Sequence, residues 1–94
     1  MGEEVTYTTW TLVGGEHGGK KVKQPEYLSS SSIVYNFTVY NIHSVYADGR
    51  LFKVALHTDL DIDDFVSGVR TASGCDQSKA AEILERSGAV EVLL

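Results

Sequence analysis

The sequence predicts an α+β domain: a mostly antiparallel β-sheet with two helices packed on one face, in the order β-β-β-α-α-β. Three observations carry this prediction. Residues 5–13, 33–47 and 50–58 are rich in β-branched and aromatic types, which suit a pleated, half-buried surface. Residues 61–88 change to helical spacing, punctuated by Asp at the starts and Gly at the stops. Val90, Val92 and Leu94 then alternate with Glu91 and return the chain to strand. At 94 residues and 10.3 kDa, a folded monomer would bury about 64% of its unfolded surface. That is enough for one core, so 1–94 is expected to be a single domain.

The first strand is predicted over 5–13, with Val5, Tyr7 and Val13 on one face and Trp10 and Leu12 on the other. Residues 14–32 hold four glycines, Pro25 and the run Ser29 to Ser32, and so read as a long flexible Gly/Ser-rich loop. In 33–47, Ile33, Tyr35, Phe37 and Val39 share one face, and Tyr40 and Ile42 continue on the other. Such a phase change inside one strand points to a bulge or to burial on both faces. Asp48-Gly49 marks a hairpin, and 50–58 alternates with Phe52, Val54 and Leu56 inward.

Two registers of this hairpin are possible. A two-residue Asp48-Gly49 loop sets Val45, His43 and Asn41 beside Phe52, Val54 and Leu56. A three-residue Ala47-Asp48-Gly49 loop sets Ser44, Ile42 and Tyr40 there. The second buries more apolar surface and is the register expected, with Gly49 in the left-handed region.

Asp61 is placed to cap the first helix, with Asp63 and Asp64 in its first turn, where the helix dipole favours anions. Ile62, Phe65, Val66, Val69 and Ala72 follow helical spacing, and Gly74 stops it. The second helix starts near Asp76, buries Ala80, Ile83 and Leu84, and stops at Gly88.

The net charge is −5, and residues 59–94 account for all of it, with eight acids against three bases. An acidic domain is a poor generic nucleic-acid binder. No apolar run reaches the ~18 residues of a membrane span. No basic-then-apolar leader is visible, and one Cys fits a reducing compartment, so a cytoplasmic protein is expected.

Few residues suggest chemistry. Asp59, Asp61, Asp63 and Asp64 resemble the start of a calcium loop, but its sixth position is Asp64 where Gly is needed and its twelfth is Arg70 where Glu is needed. His17, His43 and His57 assemble no metal site under either register. Cys75 has no base beside it. No cofactor and no catalytic set follow, and the chain is not expected to be an enzyme.

The leading expectation is a small non-enzymatic protein-interaction module, a regulator or acidic inhibitor that docks on a partner. Two surfaces carry it. Tyr35, Phe37 and Val39 form an exposed apolar stripe on the sheet face away from the helices, suited to a homodimer. Asp61, Asp63 and Asp64 form a contact patch for a partner with a basic surface. One alternative is a small-ligand or nucleotide binder using Gly18, Gly19, Lys20 and Lys21, although the segment lacks the spacing of a phosphate loop. Another is an acidic helix-turn-helix regulator built on 69–84, whose second helix offers Lys79 and Arg86 against Glu82 and Glu85.

Overall fold

A computed structural model of the chain describes residues 6–25 and 31–92. Val5, Ser29, Ser30 and Leu94, named above, lie outside the described residues. Eight elements follow one another: β1 (Tyr7–Val13), β2 (Lys21–Pro25), β3 (Ser32–Tyr35), β4 (Thr38–Ala47), β5 (Arg50–His57), α1 (Ile62–Ser73), α2 (Gln77–Arg86) and β6 (Val90–Val92). The class is α+β, as predicted. The sheet is mixed, not mostly antiparallel, and its strands are more numerous than expected. The order is β2-β1-β5-β4-β3, with β6 also pairing β5. The parallel pair is β1 with β5, through Leu12↔Ala55 and Val13↔Leu56. β6, which follows a helix, runs antiparallel to β5.

Two of the differences arise at turns. The segment 14–32 is not one continuous loop. β2 pairs antiparallel with β1 from Tyr7↔Pro25 to Thr11↔Lys21, and only a short turn joins them. β2 reads Lys-Val-Lys-Gln-Pro, so a single apolar residue, Val22, marks its inward face. The phase change in 33–47 is a second hairpin, not a bulge. Asn36 and Phe37 both have positive φ, 49° and 65°, the signature of a two-residue type I′ turn. β3 and β4 therefore fold back on each other with Tyr35↔Thr38 and Val34↔Val39 as partners.

The β4–β5 hairpin also differs from the register expected. Ala47 pairs Arg50 and Val45 pairs Phe52, so the loop is Asp48-Gly49 alone, again with both φ positive, 56° and 68°. His43 and Asn41 consequently lie beside Val54 and Leu56. The arrangement is tolerable because both polar residues remain half-buried rather than enclosed. The apolar residues of this face pack at the other end of β4, where Val45 and Ala47 meet the helices.

Two cores result, one on each side of β4–β5. On the helix side, Val45, Ala47, Phe52, Val54 and Leu56 pack with Val69, Ala80, Ala81, Leu84 and Ala89. On the other side, Trp10 and Leu12 from β1 join Ile33, Tyr40 and Ala55, with Val22, Tyr35 and Ile42 around them. β1 and β3 lie on opposite sides of the β4–β5 pair, so sharing one cluster requires the sheet to curl over Ala55. Tyr40 and Ile42 thus face away from the helices, the reverse of the expected assignment.

The helix boundaries follow local chemistry. Asp61 accepts the Asp63 N–H at 2.8 Å, and Asp76 accepts those of Ser78 and Lys79 at 2.9 and 3.2 Å. At the end of α1, Cys75 N–H donates to Arg70 C=O and Gly74 N–H to Thr71 C=O; α2 repeats the pattern with Ala89 to Leu84 and Gly88 to Glu85. Both are Schellman closures, which need a left-handed residue, here Gly74 and Gly88. Arg50 ties three elements: its Nη2 donates to Glu85 on α2 at 2.6 Å and its Nε to Glu91 on β6 at 3.0 Å.

Candidate docking surface

The residues picked from sequence separate into three places. Tyr35, expected on an exposed stripe, turns inward. It is half-buried against the Trp10–Tyr40 cluster, and its ring meets His17 edge-on with centroids 5.0 Å apart. Phe37 stands at the apex of the β3–β4 turn with 99% of its surface exposed. Val39 is on the helix-side face, beyond the packed part, and is 39% exposed. The stripe therefore dissolves, because a turn separates residues 35 and 39 that alternation alone had placed on one face.

A different patch takes its place. Val34, 65% exposed, is the cross-strand partner of Val39, and Phe37 closes the hairpin beside them. The sequence reading missed Val34. Recognising Asn36-Phe37 as a turn would have found it, since pairing across a two-residue loop sets 34 opposite 39. No Asp, Glu, Lys or Arg occurs anywhere in 31–47, so the patch is electrically neutral in a chain of net charge −5. At Phe37 two unfavourable features coincide. A bulky L-residue at positive φ is strained, by roughly 1–2 kcal/mol, and its apolar ring lies in water. Asn-Gly is the residue pair this turn prefers.

The glycine-rich turn serves the fold. His17 N–H donates to the Tyr40 hydroxyl at 3.3 Å, and that hydroxyl donates to Gly14 C=O at 3.0 Å. Gly19 N–H donates to Leu12 C=O, Lys20 N–H to His17 C=O and Gly18 N–H to Gly15 C=O. A phosphate cradle needs convergent N–H groups aimed at the ligand; those of residues 17–20 are occupied within the protein. Gly15 has φ of 67° and lies so close to His57 that a Cβ there would fall 2.4 Å from its ring. The Lys20 and Lys21 side chains are exposed.

In the acidic turn, Asp61 spends a carboxylate oxygen on capping α1, and Asp63 and Asp64 face solvent. His43 and His57 point to opposite faces of the sheet, and no cluster of three metal-ligating side chains occurs among the described residues. On α2, Arg86 pairs with Glu82 at 2.6 Å and Ala80, Ala81 and Leu84 are buried. A cavity of about 70 Å³ lies between the helices and β4, lined by Val45, Val66, Val69 and Leu84. Small-molecule sites are several times larger, roughly 300–1,000 Å³. None of the helices among the described residues is long and apolar enough to cross a membrane.

No protein-family model matches the chain, and no curated protein or solved structure shows a significant match.

Proposed function

We propose that the chain is a non-catalytic protein-interaction module that docks through the β3–β4 hairpin. The observation that carries this reading is Phe37, strained and fully exposed at once. Folding alone would favour Gly at that position, and backbone strain clusters where function requires a particular side chain. A rigid aromatic anchor at the centre of a small apolar patch is the kind of residue that dominates binding energy at interfaces. Val34 and Val39 supply the surrounding apolar area. The exposed Asp63 and Asp64 would steer a partner with a basic surface, an effect that salt weakens.

The test is photo-cross-linking from position 37. A benzophenone amino acid replaces Phe37, and a control chain carries it at exposed Lys79. In extracts of the source cells, position 37 should yield a discrete protein adduct that position 79 does not, and competition by unlabelled wild-type chain should abolish it while a Phe37→Asp chain should not. Equal labelling from both positions, or equal competition by both chains, refutes docking through the hairpin.

A further inference from the structure

We infer that the hairpin's partner is a second copy of this chain, joined edge to edge through β3; this rests on the hairpin being the docking surface. Among the described residues, β2 and β3 are the two ends of the strand order. β2 carries Lys21, Lys23 and Pro25, residues that block edge-to-edge pairing. β3 carries no charge and no proline. A two-fold contact sets one surface patch against a copy of itself, so an edge carrying one sign of charge repels itself. In a chain of net charge −5, β3 and the adjoining β4 form a neutral edge where two copies can meet.

The register is fixed by the hydrogen-bond alternation. Ile42 N–H donates to Ser31 C=O at 2.9 Å. Antiparallel ladders alternate bonded and non-bonded pairs, so the backbone groups of Ile33 and Tyr35 face β4 and those of Val34 face away from it. Within 33–35, Val34 is therefore the residue whose N–H and C=O are directed at an incoming strand. Pairing Val34 of one copy with Val34 of the other gives two reciprocal backbone bonds about the axis. It also lines up Val39, Val34, Val34 and Val39 in one apolar row across both copies, on the face where both residues are now exposed. Ile33 of each copy then lies opposite Tyr35 of the other, continuing the inner cluster. The strand is only four residues long, so the dimer should be weak and concentration-dependent.

Sedimentation velocity across a concentration series tests this. The wild-type mass should rise towards twice the monomer mass at millimolar concentration. Val34→Lys and Val34→Glu, at an exposed edge position, should each remain monomeric with unchanged circular dichroism. An equimolar mixture of the two should recover a dimer, because residue 34 then faces an opposite charge. Independently of any variant, exchange of the Val34 amide hydrogen should slow several-fold on concentrating the wild-type chain. A wild-type chain that stays monomeric, a Val34→Lys chain as dimeric as wild type, or a mixture that does not recombine overturns the inference. A monomeric chain whose position 37 still cross-links to another protein overturns the second copy and leaves hairpin docking standing.

Discussion

Replacing Phe37 by Gly should stabilise the isolated chain, although it removes a large aromatic side chain. The ring is 99% exposed, so its deletion forfeits almost no packing within one copy. The backbone at φ 65° is strained for Phe by roughly 1–2 kcal/mol, and Gly adopts it freely. Against this, Gly adds freedom to the unfolded chain worth roughly 0.4–1 kcal/mol. The balance is a gain of about 0.5–1 kcal/mol, which for a domain of this size raises Tm by roughly 2–8 °C. Urea unfolding by circular dichroism in dilute solution measures it: the midpoint should rise with an unchanged slope. A lower midpoint would refute the reasoning, because it would mean that the ring is packed within a single chain. The docking role predicts the opposite trend for association, which should weaken in the same variant.

Other perturbations test the scaffold beneath the hairpin. Tyr40→Phe removes the hydroxyl that joins His17 N–H to Gly14 C=O and should cost about 1–2 kcal/mol; a loss as small as that of an exposed Tyr46→Phe would show that the hydroxyl does not hold the turn. Gly49→Ala, at φ 68° in the β4–β5 turn, should destabilise by about 1 kcal/mol, and a neutral result would mean that the turn is not type I′. The hydrogen bond from Arg50 holds the Glu91 carboxyl below its usual range. A group depressed on folding stabilises above its unfolded pKa and ceases to do so as pH falls through the folded value. Stability should therefore decline on acidification below about pH 4.5, and Glu91→Gln should flatten that part of the profile measured by thermal unfolding.

Much of the helical half was legible because its signals are local. Asp61 and Gly74 bracket α1, and Asp76 and Gly88 bracket α2, each through bonds spanning at most five residues. The alternation of β5 was equally plain. The register of β4 was not, because maximal apolar burial along the whole strand favours the alternative pairing. The residues on its helix-side face pack tightly only around Val45 and Ala47, leaving Asn41 and His43 half-buried. β2 was hidden because a strand with one inward apolar residue has no period to read. The Asn36-Phe37 turn was hidden because its second residue is not the Gly that type I′ geometry prefers. That same departure is what marks the candidate site. Phe37 and Val39 stood out through a face assignment that the β3–β4 turn overturns, and Val34 did not stand out at all.

The hairpin as a contact surface is tested most directly by fluorine NMR of the chain labelled with 4-fluorophenylalanine. The three phenylalanines, Phe37, Phe52 and Phe65, are assigned by replacing each with Tyr. Phe52 is fully buried in the helix-side core and serves as an internal reference. On raising the protein concentration from micromolar to millimolar, the Phe37 resonance should shift saturably and broaden while that of Phe52 stays fixed. The solvent isotope shift of Phe37, largest in dilute solution, should shrink in step. A Phe37 resonance that keeps its position and its full isotope shift, both at millimolar concentration and in extract of the source cells, would contradict the assignment of the hairpin as a docking surface.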